Sequence, residues 1–256
     1  MFLAASAAFF TVGERNFCSV FTWVCYCIFR VNTREHHYVH IPRHFKQQDW
    51  HQVSTLISEY PLGCISTVSE AGLVADHVPL LLAKNADDSW CLQGHIARIN
   101  PLAKRLLNPL AALVVFQGED AYVSPNYYPS KLSNPKVVPT WNYQAVHING
   151  TMTKQDDLAW KLSLLKRLTE QNEQAQSQPW QVSDAPDKFI EQLNKAIVGF
   201  EISIDSWQAQ FKQSQNHSVE NQLGVAKGLA NTNPLMAKQI ECFAQNLASK
   251  GRGENG

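Results

Sequence analysis

The chain carries no net charge: 22 Lys and Arg are offset by 22 Asp and Glu among 256 residues. Binding to nucleic acid by counterion release needs a concentrated basic face, and no stretch supplies one. There is no C-x-x-C pair either, although the chain holds 6 cysteines. Cys18, Cys25 and Cys27 fall near the start, while Cys64, Cys91 and Cys242 are scattered. That pattern forms no disulfide framework and predicts a reducing cytoplasm, with Cys64 and Cys91 as small buried apolar residues. A P-loop, G-x-G-x-x-G and G-x-S-x-G are also missing, which removes the familiar nucleotide cradles and the nucleophile elbow. His36, His40 and His44 fall at helical spacing, but Pro42 breaks that helix and no carboxylate completes a metal set. Ser124, His147 and Asp157 are a triad only on paper. Met1–Val12 and Phe17–Phe29 are apolar, yet each is shorter than the ~20 residues of a spanning helix, and no positive charge precedes the first.

What the chain does have is apolar residues, 45% of the total, enough for a sizeable core. Lys46–Tyr60 places Trp50, Val53, Leu56, Ile57 and Tyr60 at helical spacing, with Pro61 just beyond. Strand-like runs follow at Cys64–Val68, Leu73–Ala83 and Trp90–His95, the second marked as a bulge or edge by Pro79. Ile96–Leu107 reads as a short helix interrupted by Asn100-Pro101. Leu110–Phe116 reads as a strand buried on both faces, and Lys136–Asn149 as a further strand. Asp156–Glu173 is a helix with an acidic start and a stripe of Leu158, Leu162, Leu165 and Leu168. Asp187–Lys195, Val219–Leu229 and Pro234–Ala248 are helices, Ile197–Ile204 alternates as a half-buried strand, and 251–256 is a disordered tail. About six strands at short spacing, with helices between them, predict an α+β fold: a closed antiparallel barrel with helices outside.

Three polar stretches stand out against this background: GHIARINP (Gly94–Pro101), VPTWNY (Val138–Tyr143) and KQSQN (Lys212–Asn216). Each combines cationic or amide groups with Gly, Pro or aromatics, as a pocket for something polar, planar or phosphorylated requires. With YVHIPRHF (Tyr38–Phe45) and AYVSPNYYPSK (Ala121–Lys131), they resemble in order and spacing the FMN-binding proteins of the PaiB type, described as negative transcriptional regulators. The resemblance covers about residues 37–245. It implies an antiparallel split β-barrel of the flavin-reductase-like or pyridoxamine-oxidase-like kind, FMN as cofactor, and a homodimer.

Such proteins begin near Tyr38, so residues 1–36 are expected to be an N-terminal extension outside the native fold, with no membrane anchor. Residues 37–206 are expected to form the barrel, and 207–250 a polar loop and helices packing on it. The chain departs from the family pattern at Tyr127, where Trp is usual, at the residue after Lys212, usually apolar, and at His217, where Arg is usual.

FMN presents a dianionic phosphate, a wide planar ring and an edge of donors and acceptors. Arg98 suits the phosphate through a bidentate contact where a strand gives way to a helix, with His95 and Asn100 beside it. Lys131 and Lys212 would supplement that charge, and Gln215 and Asn216 would complete its hydrogen bonding. On the VPTWNY strand, Trp141 and Tyr143 face one way and Thr140 and Asn142 the other, the latter pair being the favoured ligand contacts. Plainer readings stay open for each: a surface ion pair for Arg98, core packing for the aromatics, and a helix-capping loop for Lys212–Asn216. Direct DNA contact is compatible with the family role, although no basic motif marks it. A flavin-dependent oxidoreductase or flavin reductase is the alternative, with His77, His95 and Tyr143 as acid–base candidates. Haem ligation by His77 and His95 is a third reading.

Overall fold

The computed structural model describes residues 39–253, with side chains to residue 247. The expectations for residues 1–36 lie outside the described residues, as do positions 254–256 of the tail. In chain order the elements are β1 (Lys46–Gln47), α1 (Trp50–Glu59), β2 (Leu62–Ser69), β3 (Gly72–Pro79), β4 (Leu81–Lys84), β5 (Trp90–Ala97), α2 (Pro101–Arg105) and β6 (Leu110–Val123). They continue with β7 (Thr140–Gln155), α3 (Leu158–Glu173), α4 (Asp187–Lys195), β8 (Ile197–Ser203), β9 (Ser206–Lys212), α5 (Val219–Leu229) and α6 (Pro234–Gly253).

Every strand pairing is antiparallel, in the order β3-β2-β6-β7-β8-β5-β4, with β9 pairing β7 and β1. The long strand β7 is the spine. Its first half pairs with β9 (Tyr143↔Lys212) and its second half with β8 (Met152↔Ile202). The sheet curls until β3 lies against β5 without ladder pairing, which leaves a split barrel. Leu80, Leu92, Val114, Phe116, Ile148, Met152, Phe200 and Ile202 fill its interior, all with no exposed surface. Truncating one such ring, as in Phe200→Ala, costs about 3–5 kcal/mol. Gly94 belongs to this packing, because a Cβ there would meet Phe200 at 2.7 Å and Leu80 at 2.8 Å.

A second cluster seats α5 and α6 on the end of β6, with Val123, Tyr128, Val225, Leu229, Met236 and Ile240 interlocked. Gly228 lets α5 press onto the Tyr127 ring, where a Cβ would collide.

Several boundaries moved for physical reasons. The helix expected from Lys46 starts only at Trp50, since Asp49 caps it through His51 N–H and Lys46–Gln47 pairs with β9. Pro79 splits the expected Leu73–Ala83 strand into β3 and β4. β9 has no counterpart among the expected strands, and α6 runs past Ala248 to Gly253. On α3 the buried line is Lys161, Leu164 and Leu168, while Leu158 is exposed. Lys161 takes an inner seat because its ammonium reaches Asp156 and the carbonyls of Asn194 and Ile197 at 3.0–3.1 Å.

Candidate functional site

Pairing of β9 with both β7 and β1 draws four of the five polar stretches to one place. The β7–β9 register sets Lys212 opposite Tyr143, and β1 delivers Phe45 beside Lys212, whose Nζ lies 5.7 Å from the ring centre. The Pro125–Leu132 turns, held on α5 through Asn221, bring in Tyr128. Between these elements lies a cavity of about 350 Å³, within the range of small-ligand sites. Lys212, Thr140, Asn142 and Asn216 line it, with Lys136, Ser214, His217, Tyr128, Phe45, Val137 and Val138 completing the wall.

The polar groups are organised. Lys212 Nζ donates to Thr140 Oγ1 at 2.6 Å, and Asn142 Nδ2 donates to Ser214 Oγ at 2.9 Å. Asn142 is fully buried, and its Oδ1 has no hydrogen-bond partner among the described residues. Ser214 sits at φ 63°, a left-handed conformation that costs a non-glycine residue about 1 kcal/mol or more and that recurs at functional sites. His217 lies against Tyr128, ring centres 4.8 Å apart. Burial, and then the nearby Lys212 charge, lower the His217 pKa. Burial lowers that of Lys212 as well. Among the described residues, the only formal charges on the wall are two lysines, with no carboxylate, so the cavity favours an anion.

Six expected contacts lie elsewhere. Arg98 is not part of this wall: Nη2 and Nη1 grip Asp156 at 2.7 and 3.0 Å, and Nε and Nη2 also donate to the carbonyls of Lys195 and Ile197. The plain ion-pair reading describes it, because β5 ends beside α4 and the start of α3. Asn100 caps α2 through Leu102 N–H and donates to Asp76 Oδ1 at 3.0 Å, tying β3 across the seam. His95 is opposite Gly199 on β8, with Nδ1 buried and unpartnered among the described residues. Lys131 donates to Asn126, Gln215 donates to the Phe211 carbonyl, and Trp141 is 55% exposed. Phe45, Tyr128, Lys136, Ser214 and His217 were not among the expected contacts. Phe45, Tyr128 and Ser214 belong to the flagged stretches and His217 borders one, but which members face inward depends on a β9 pairing that the local pattern does not announce.

Residues 39–206 match the family described as "Putative FMN-binding domain". The chain is 33% identical over 214 residues to "Protease synthase and sporulation protein PAI 2" of Bacillus subtilis, covering 83% of this chain and 99% of that protein. It belongs to this FMN-binding family. It is also 33% identical over 231 residues to "Uncharacterized protein AN0679" of Emericella nidulans, across 77% of this chain and 91% of the relative. Among solved structures, the FAD and heme binding protein from Mycobacterium smegmatis superposes with a TM-score of 0.49 at 15% identity, over 65% of this chain and 73% of that one.

FMN is the cofactor of the family, and the cavity suits it. Its wall has two ammonium groups, Lys212 and Lys136, of the sign a phosphate requires, an orphaned acceptor in Asn142 Oδ1, and the Tyr128, Phe45 and His217 rings. No described helix is long and apolar enough to cross a membrane.

Proposed function

We propose that this protein holds FMN by its phosphate between Lys212 and Lys136, with Asn142 Oδ1 accepting from a donor on the flavin ring, and that it is a flavin-responsive regulator of the PaiB type. The observation that carries the phosphate placement is a wall with two ammonium groups and, among the described residues, no carboxylate. Lys212 would bear most of the phosphate charge, since it is already partly stripped of water. Thr140 would orient that ammonium, and Asn216 is an exposed member of the same lining. Bound FMN supplies a redox-active ring, and the chain supplies its position and electrostatics. The regulatory half is supported by 33% identity to a protein named for protease synthesis and sporulation.

A homodimer fits the same reading. Trp141 and Tyr122 meet edge to face at 5.9 Å and are 55% and 48% exposed, on the face of β7 opposite to Thr140. Exposed aromatics paired on one strand surface are what a partner surface covers.

One observation favours a flavin-dependent oxidoreductase instead: His217, kept neutral by burial against Tyr128, would be a proton acceptor within the cavity. The two readings separate on purified flavoprotein. Salt-sensitive retardation of DNA from upstream of its own gene, changed when FMN is stripped, is the expected result. Absence of any retardation, with the flavin bleached and turned over by reduced nicotinamide cofactor, would replace the regulator by the enzyme.

A further inference from the structure

A second cleft, of about 570 Å³, opens between α1 and α6 over β7 and β9. It shares no lining residue with the cavity assigned to FMN. On its wall is the side chain of Gln144, only 7% exposed. Among the described residues, no protein group hydrogen-bonds its amide. Gly118 makes room for it: a Cβ there would stand 3.0 Å from both Gln144 Oε1 and Leu56 Cδ1. Two other polar groups of the cleft are committed, Gln213 to Gln239 at 2.6 Å and Tyr60 to Glu119 at 2.7 Å. Gln144 therefore presents a donor and an acceptor side by side to the cleft.

Phe211 and Phe243 supply apolar faces, and the lining holds one acid, Glu59, one ammonium, Lys238, and the His51 imidazole. The acid and the ammonium give the lining no net charge of one sign to select a charged guest, whereas a flat neutral one gains both stacking and a two-point amide pair. We propose that this cleft binds a neutral, flat molecule with a carboxamide or lactam edge, which returns a donor and an acceptor to Gln144.

Cys242 lines the same cleft as a free, exposed thiol and serves as a reporter. On the full-length flavoprotein, modification of Cys242 by methyl methanethiosulfonate is followed by peptide mass spectrometry, with benzamide or benzoate present. Benzamide is expected to slow it about tenfold when added at about ten times its dissociation constant. Benzoate, of the same shape but anionic and without the donor, is expected not to. Gln144→Leu should abolish the benzamide protection while retaining the flavin absorption. Equal protection by the two compounds, no protection by benzamide up to its solubility limit, or undiminished protection in a folded Gln144→Leu would overturn the proposal. Release of flavin as benzamide is added would overturn it too, by assigning the amide to the flavin's own ring. If Gln144→Leu fails to fold, the benzamide–benzoate contrast on the unaltered protein decides.

Discussion

Arg98 and Asp156 form a two-pronged pair at 2.7 and 3.0 Å, and the same carboxylate neutralises Lys161, whose side chain is 0% exposed. The most phosphate-like ligand of Arg98 is thus already part of the chain. Asp156→Asn leaves a buried ammonium without a counter-charge, and about 3 kcal/mol of stability is expected to go, measured by urea unfolding. Arg98→Ala should lower stability by less, because its pair is partly exposed, and should leave FMN affinity unchanged. Arg98, then Lys161 and Lys154, hold the Asp156 carboxyl well below the usual range. With a depressed folded pKa, its stabilisation is complete above about pH 4 and fades as acid protonates the folded state. The Asn variant should flatten that acid limb.

Burial lowers the imidazoles of His95, His147 and His217, and Lys212 pushes the last down further. Unfolded histidines titrate near pH 6.5, so below it the unfolded chain binds more protons. The flavin-free protein should be most stable above about pH 6.5 and lose stability as pH falls through the folded values. Anion binding runs the opposite way, since a phosphate beside His217 favours the imidazolium. FMN affinity should climb as pH drops, and His217→Asn should remove that climb in a fluorescence titration.

Gly228→Ala tests the seating of α5. Its methyl group would enter the Tyr127 ring, so overpacking should cost about 1–3 kcal/mol. Because that contact positions the turns carrying Tyr128, thermal melting should shift down and FMN affinity should weaken with it.

Trp141→Asp tests the proposed dimer face. A charge introduced into the exposed Trp141–Tyr122 pair should yield monomers by sedimentation velocity, with the fold retained by circular dichroism. An unchanged sedimentation coefficient would move the interface elsewhere.

Much of this architecture was legible in the chain. Alternation put Asn142 and Thr140 opposite Trp141, and the structure keeps that separation, because a strand period of two leaves no other choice. The helix at Asp187–Lys195 and that at Val219–Leu229 match their patterns end to end, one led by Pro186 and the other capped by Ser218. Long-range pairing was not legible. Ser206–Lys212 mixes polar and apolar residues, and only its register against β7 brings Lys212 to Thr140. Lys161 and Arg98 share the difficulty: a cation reads as a surface or ligand group until the fold supplies Asp156 and three main-chain carbonyls.

The central claim is that Lys212 meets the phosphate of FMN, and riboflavin, which lacks that phosphate, tests it most directly. Titrations of FMN and riboflavin against the protein and Lys212→Met, at one ionic strength, give two affinity ratios. The account predicts a strong preference for FMN that falls about 10- to 100-fold in the variant, the value of one charge-assisted contact of roughly 1.5–3 kcal/mol. An FMN-to-riboflavin ratio left intact by Lys212→Met would contradict it.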